Sequence, residues 1–330
     1  MRNSMSRRAL GALGAGLLGA PALPGRAAAS TWPDRTVTLV VPFTPGGASD
    51  TLARVISQHF PRFANGQTLV VENRPGAGGL VSGGYVAGQR PDGNILLMAD
   101  IGANAIGKEL NPRLGYDPMA AFTPIIQLVN LPAVLFAHPS VPERSVQEVI
   151  AKAMASPDSY TYASAGVGNG SHLFMALLCR RAGVSMVHVP YRSGSEIVTS
   201  VLRGETQLGF PSLSSALQQL KAGSIRAIAM GNPGGSPAMP GLPPVSDTLP
   251  GFDIAVWYGV AAPADVAPEL AQRINEVFGA VVALDEVRDG VFRTQAGQVV
   301  GGSPADFGRF LQREYDTWTP VIREGGIRTE

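Results

Sequence analysis

The sequence predicts an α/β fold, because short runs of apolar, β-branched residues alternate along it with helical patterns of about 10–15 residues. Several of those runs are apolar throughout rather than at every second position. Continuous apolar runs are what strands require when helices cover both faces of a sheet, so mostly parallel sheets flanked by helices are expected.

The elements follow in order. "TVTLVVPF" (36–43) is the first strand, and "ASDTLARVISQHF" behind it sets Leu52, Val55, Ile56 and His59 or Phe60 at helical spacing. "TLVVEN" (68–73), "NILLMAD" (94–100) and "AVLFAHP" (133–139) are further strands. In "RSVQEVIAKAMAS", Ser145 and Glu148 have capping-box spacing, each side chain serving an amide that the first helical turn leaves open. Five more strands are expected in "YTYASAG" (160–166), "MVHVPY" (186–191), "TQLGF" (206–210), "SIRAIAM" (224–230) and "DIAVWYGVAA" (253–262). "PELAQRINEVFGAVVAL" lines up Leu270, Ile274, Val277 and Val281 on one helical face. "SPADFGRFLQREYDTW" starts a last helix with Ser303 as N-cap and Pro304 at N1, turning Phe307, Phe310 and Leu311 inward.

Two strands, "AVLFAHP" and "DIAVWYGVAAP", lack the short-turn signals seen elsewhere. They read as passages between two lobes, residues 30–130 plus 255–330 and residues 131–254. A single doubly wound sheet is the alternative, and the pattern alone leaves both open.

The beginning of the chain reads as a leader. Arg2, Arg7 and Arg8 precede the apolar stretch "ALGALGAGLLGAPAL", and Ala27, Ala28 and Ala29 supply small residues for cleavage. Residues 1–29 are therefore expected to be a signal peptide, too short to remain as a membrane span. Arg7-Arg8 suits the twin-arginine route, and a general secretory signal fits equally. Removing those residues takes away four arginines and no acid, turning the formal net charge from +1 to −3. A mildly acidic chain lacks the basic footprint of a nucleic-acid binder. The single cysteine, Cys179, has no partner for an internal disulfide. An exported, soluble monomer is expected, without metal or cofactor.

Four loops at strand-to-helix junctions carry the candidate chemistry. "PFTPGGASD" (42–50) exposes backbone amides around Gly46 to Asp50 at the positive end of a helix, a place that takes phosphate or carboxylate. It lacks the Lys of a P-loop and the glycine spacing of a dinucleotide fingerprint. The other reading is a plain turn in which Ser49 or Asp50 caps the helix. "SAGVGNGSH" (164–172) repeats the arrangement, with Ser171 where a dinucleotide fingerprint needs its third glycine. "VPYRSGSE" (189–196) offers Arg192 for bidentate contact with a carboxylate. "FPSLSS" (210–215) places Ser212 as a cap or a cleft-lining hydroxyl. Two such loops, one in each expected lobe, can face each other beyond the carboxyl ends of their strands.

No enzymatic constellation is evident. There is no G-x-S-x-G elbow, H-E-x-x-H or C-x-x-C. Among the four histidines, His59 and His188 fall within elements and read as structural. Ser171 and His172 are neighbours in sequence without an acid to orient them.

Taken in order, "PFTPGGASD", "VVENRPGAGG", "RPDG", "SAGVGNGSH", "VHVPYRSG" and "LPGF" resemble the periplasmic substrate-binding proteins of tripartite tricarboxylate transporters, the Bug-type receptors. The likeness runs through nearly the whole chain after the leader. It implies a two-lobed, type II-like periplasmic-binding-protein fold that closes on its ligand in the cleft between lobes. It also implies capture of carboxylates by backbone amides and small hydroxyls, and delivery to the membrane permease subunits of a tripartite carrier. Carried over by position, Thr44, Gly46, Gly47, Ser49 and Asp50 would line one side of the cleft, and Ser164, Ala165, Gly166 and Ser171 the other. Phe43, Tyr191, Arg192 and Ser212, from the loops themselves, are further candidates for ligand contact. The chain departs from the family pattern twice. Asp100, Ile101 and Gly102 replace a Thr/Ser-Asn-Gly-type turn, and Phe210-Pro211-Ser212 replaces Phe-Asp-Asn. Asp100 thus adds a carboxylate near the cleft, while the second change removes one. A small organic acid is the expected ligand, with an aromatic acid or an amine-bearing or neutral compound left open. The rival readings are an exported hydrolase using Ser171 and His172, or a ligand sensor for a membrane kinase.

Overall fold

The computed structural model describes residues 32–329, with backbone only at 292–295. The expected signal peptide, residues 1–29, lies outside the described residues.

β1 (Val37–Val41) leads through α1 (Ala48–His59) to β2 (Leu69–Asn73), and α2 (Leu80–Ala87) leads on to β3 (Ile95–Ala99). β1 lies between β2 and β3 and is parallel to both, with Val37 beside Leu69 and Thr38 beside Ile95. The sheet is completed by β4 (Phe122–Pro132), β10 (Ala255–Pro263) and β11 (Gln298–Gly301), in the order β11-β4-β10-β3-β1-β2. A second sheet holds β5 (Val134–Ala137), β6 (Thr161–Ser164), β7 (Val187–Pro190), β8 (Leu208–Gly209) and β9 (Arg226–Met230), in the order β7-β6-β8-β5-β9.

Both sheets are mixed, where mostly parallel sheets were expected. Parallel pairing is confined to β1 with β2 and β3, and to β6 with β7 and β8. The physical reason lies in the route of the chain. β4 carries it out of the first sheet into β5 with only Ala133 between them, and β10 brings it back. Strands that run out and back alongside each other must pair antiparallel, as β4 and β10 do.

The nine strands read from sequence all form, as do the helices beginning at Ala48, Val146, Gly170, Pro268 and Pro304. β4 and β11 were not foreseen, nor were the helices α3 (Gly107–Leu110) and α9 (Asp285–Gln295). β4 contains Pro124 and ends on Pro132, residues that argue against a strand interior. α2 was also missed, because "LVSGGYVA" carries two weak helix formers. Gly83 is nevertheless required, since a Cβ there would lie 2.1 Å from the Tyr116 hydroxyl.

The expected caps form with one refinement. Ser303 and Asp306 make a full capping box at α10 (Pro304–Glu324). At α4 (Val146–Ala155) Ser145 accepts from the Glu148 amide, but the Glu148 carboxylate reaches back to the amide of Arg144. The apolar faces read from sequence point inward. Leu52, Ile56 and Phe60 pack with Ile274, Val277, Phe278 and Val281 of α8 (Pro268–Ala283), and all are fully or almost fully buried. Each such side chain contributes on the order of 1.5–3 kcal/mol by leaving water. Phe307 of α10 presses on β10 so closely that a Cβ at Gly259 would come within 2.3 Å of its ring. That contact brings the middle of α10 over the place where β10 begins.

Candidate ligand cavity

The loops at the carboxyl ends of the parallel strands converge on one cavity. Phe43 and Gly47–Ser49 follow β1, and Asp100 and Ile101 follow β3. Facing them, Ala165 and Asn169–Ser171 follow β6, Gly194 starts α6 (Gly194–Leu202) after β7, and Pro211–Ser212 precede α7 (Leu213–Lys221) after β8. The first residues of β10, Ala255–Tyr258, and Glu314 of α10 close the remaining side. A site outside the carboxyl ends of the strands is the general place for ligands in open α/β sheets. The cavity volume is about 40 Å³, room for a few waters with the walls this close.

Two helix starts on this wall lack a side-chain cap. α1 is capped by Gly47, which has no side chain, and Ser212 before α7 spends its hydroxyl on Ser214 and Ser215. By contrast, α5 (Gly170–Ala182) is capped by Asn169 and α6 by Ser193. An uncapped start turns its amides and the positive end of the helix dipole toward whatever occupies the space in front.

Of the residues singled out from sequence, Phe43, Gly47, Ser49, Asp100, Ala165, Ser171 and Ser212 stand in the cavity wall. The others stand behind it. Asp50 is buried and holds the loop together: its carboxylate takes two bonds from Arg54, one from Asn73 and one from the Gly46 amide. Burial pushes the Asp50 carboxyl up, but those donors outweigh it and the net displacement is downward. Thr44 bonds Glu196 of α6 across the two sheets, at 3.2 Å. Ser164 shares a 2.6 Å bond with His188 Nε2, while Gly166 packs against Gly78. Tyr191 bonds Glu205, and the exposed Arg192 offers its backbone amide to Glu196. Two amides of the second loop are also engaged internally. Ala165 N donates to Ser171 Oγ at 2.9 Å, and Gly166 N to Ser164 Oγ at 3.1 Å.

The lining contains two acidic side chains, Asp100 and Glu314, and no Lys, Arg or His. Asp100 Oδ1 accepts from the Ala103 amide at 3.1 Å, while Oδ2 has no partner. Burial pushes this carboxyl up to about 7 against the pull of the Ala103 and Gly102 amides. Its neighbours Tyr116 and Tyr258 are raised by burial and by the Asp100 charge. Ser49 Oγ is buried beside Tyr258 and draws the Tyr258 hydroxyl back toward the ordinary value. Glu314, raised chiefly by burial, accepts from the indoles of Trp257 at 2.8 Å and Trp318 at 3.2 Å through the same oxygen.

Trp257 and Glu314 were missed as site residues. Trp257 was legible as part of a strand, but not its direction. Glu314 had a signal, since it sits between Leu311 and Trp318 at helical spacing, a carboxylate on an otherwise apolar face.

The Ser171 and His172 pair does not assemble into a nucleophile. Ser171 Oγ bonds Asn169, and His172 Nδ1 accepts from the Gly168 amide while its ring stacks on His188 at 3.8 Å. Burial lowers His172 to about 3 and His188 to about 4, so both are neutral near neutrality. Among the described residues, no group of His, Cys, Asp and Glu could hold a metal, and no helix is long and apolar enough to cross a membrane.

Comparison with known proteins agrees with this geometry. A family model described as "Tripartite tricarboxylate transporter family receptor" matches residues 52–327. The "UPF0065 protein in tcbD-tcbE intergenic region" of Pseudomonas sp. (strain P51) is 32% identical, over 89% of this chain and 87% of that protein. The solved structure of R. palustris Rpa4515 with adipate superposes with a TM-score of 0.85 at 31% identity, covering 90% of this chain and 99% of that one. The periplasmic binding protein BugD superposes with a TM-score of 0.83 at 25% identity, covering 91% and 100%.

Proposed function

Since the chain belongs to the tripartite tricarboxylate transporter receptor family, we propose that it captures a small organic carboxylate between its lobes and passes it to the membrane permease of a tripartite carrier. It is a solute-binding receptor of two-lobed periplasmic-binding-protein architecture, not an enzyme. The lobes are residues 30–130 plus 255–330 and residues 131–254. Capture takes place in the periplasm after removal of residues 1–29, and the receptor works as a monomer.

The observation that carries this reading is the pair of uncapped helix starts, α1 at Gly47 and α7 at Ser212, facing one cavity from the two sheets. Amides without a side-chain cap hold a carboxylate by charge-assisted hydrogen bonds and need no buried lysine or arginine. Gly47, Ser49, Ala165, Ser171 and Ser212 are the proposed contacts, with Phe43 and Asp100 beside them. Thr44, Gly46, Asp50, Ser164, Gly166, Tyr191 and Arg192 shape the loops that present those contacts. The adipate complex of the R. palustris relative supports a carboxylate as the ligand class.

Native mass spectrometry of protein purified from periplasm, followed by calorimetry with the released compound, tests the reading. A co-purified small carboxylate that rebinds one to one is the expected result. Turnover of any candidate acid above the blank would overturn it.

A further inference from the structure

The end of the cavity at Asp100 bears the wrong charge for a second carboxylate. Asp100 is 2% exposed and Oδ2 has no partner, and the buried Ser49 hydroxyl lies beside Tyr258. The antiparallel pairing of Ala99 with Gly259 places Asp100 across from Tyr258, at the edge of the cavity floor. Glu314 stands on the same wall, and no basic side chain lines any part of it. A buried carboxylate oxygen left without a donor is unfavourable, so an occupant that brings a donor to Oδ2 is favoured.

We infer that the cavity reads amphoteric ligands: a carboxylate held at the α1 and α7 starts, and an ammonium group seated against Asp100, with Ser49 as a further acceptor. This rests on the carboxylate-receptor reading above and names the substrate class within it. The aromatic wall agrees with it. Phe43, Phe174, Trp257 and Tyr258 line the cavity, and ring faces attract ammonium groups while giving a second carboxylate nothing. A plain dicarboxylate would bring its second charge next to Asp100 and Glu314 in a space that excludes most water, where like charges repel strongly.

The test is calorimetry at a pH of about 8, where Asp100 is largely ionised, with matched series. Succinate, glutarate and adipate are set against 3-aminopropanoate, 4-aminobutanoate, 6-aminohexanoate and glutamate. The best amino acid is expected to bind at least about tenfold more tightly than the best dicarboxylate. Asp100→Asn should remove that preference, weakening the amino acid by about tenfold or more and leaving the dicarboxylate unchanged or tighter. Asparagine keeps the Oδ1 acceptor for the Ala103 amide, and a melting curve identifies a misfolded variant. Glu314→Gln provides a second variant, with the same direction and a smaller effect.

Two outcomes overturn the inference: the dicarboxylate binds more tightly than every amino acid, or the preference persists in both variants. Both leave the carboxylate-receptor reading standing. If neither series binds the wild type, both readings fall.

Discussion

Gly78 and Val167 meet backbone to backbone across the two sheets, so closely that a Cβ on Gly78 would stand 2.3 Å from the Val167 carbonyl oxygen. Gly78 has φ +63, and Gly166, whose own Cβ would lie 3.1 Å from the Gly78 amide nitrogen, has φ +119. The glycines of "RPGAGG" and "SAGVGNG" are thus two halves of one close contact, and that contact sets how near the walls of the cavity come.

Gly78→Ala should therefore hold the walls apart. The left-handed backbone adds about 1 kcal/mol of strain in the variant, which lowers the melting temperature by a few degrees, about 2–4 °C. Ligand affinity should fall further, by about tenfold or more, because closure and binding are coupled. Calorimetry beside a melting curve separates the two effects. An unchanged affinity would mean that the glycine contact plays no part in the bound form.

Gly47→Val acts at the start of α1. The backbone there is extended, at φ −78, and a Cβ would sit 3.8 Å from Ser193 Cβ. A single methyl fits, but the branched side chain of valine collides with Ser193 and stands over the start of α1. Loss of ligand binding with a melting temperature within about 2 °C of wild type is expected. Gly47→Ala should retain partial affinity, and equal behaviour of the two variants would contradict this steric account.

Trp257 and Trp318 share one Glu314 oxygen beside the cavity, and they are two of the three tryptophans in the chain. Ligand entry should change the intrinsic emission, and Trp257→Phe should remove most of that change. The variant also leaves the Glu314 carboxylate with one indole donor, so it should lose about 1–3 kcal/mol of stability. Urea unfolding measures this loss, and Glu314→Gln should lessen it because the buried charge is gone.

Stability should respond to pH through two opposed sets of groups. His172 and His188 have folded values of about 3 and about 4, below the ordinary 6.5. On acidification the unfolded chain takes up those protons first, so stability falls as pH drops below about 6.5. Asp100 has a folded value of about 7, above the ordinary 3.8. The folded chain holds that proton longer, so this contribution is full below about 4 and is lost as pH rises toward 7. Asp100→Asn removes only the second effect. Its stability relative to wild type should therefore rise by about 1.4 kcal/mol per pH unit between about 4 and 7. Urea midpoints across that range test the sign, and a constant difference between the two proteins would refute it.

Much of this protein was legible before folding was considered. Strand and helix identity followed from apolar period and cap residues, because burial against a sheet or a helix face imposes those periods locally. "PFTPGGASD" was legible as a loop opening a helix, and its Gly47 does begin α1 without a side-chain cap. The job of Asp50 was not legible. A short acidic residue at a helix start reads as a ligand group or a cap, and only the arrival of Arg54, Asn73 and the Gly46 amide makes it a brace. Thr44 likewise spends its hydroxyl on Glu196, more than a hundred residues away in the chain.

The sequence by itself determined nine of the strands, the principal helices, the strand-to-helix loops and the family, since each depends on residues close together in the chain or on motifs in fixed order. Tertiary structure alone decided the mixed sheets, because strand direction depends on where β4 and β10 carry the chain. It also decided the character of the cavity. Asp100, Trp257 and Glu314 come from three separate elements, and no local pattern records that their side chains share one wall free of positive charge.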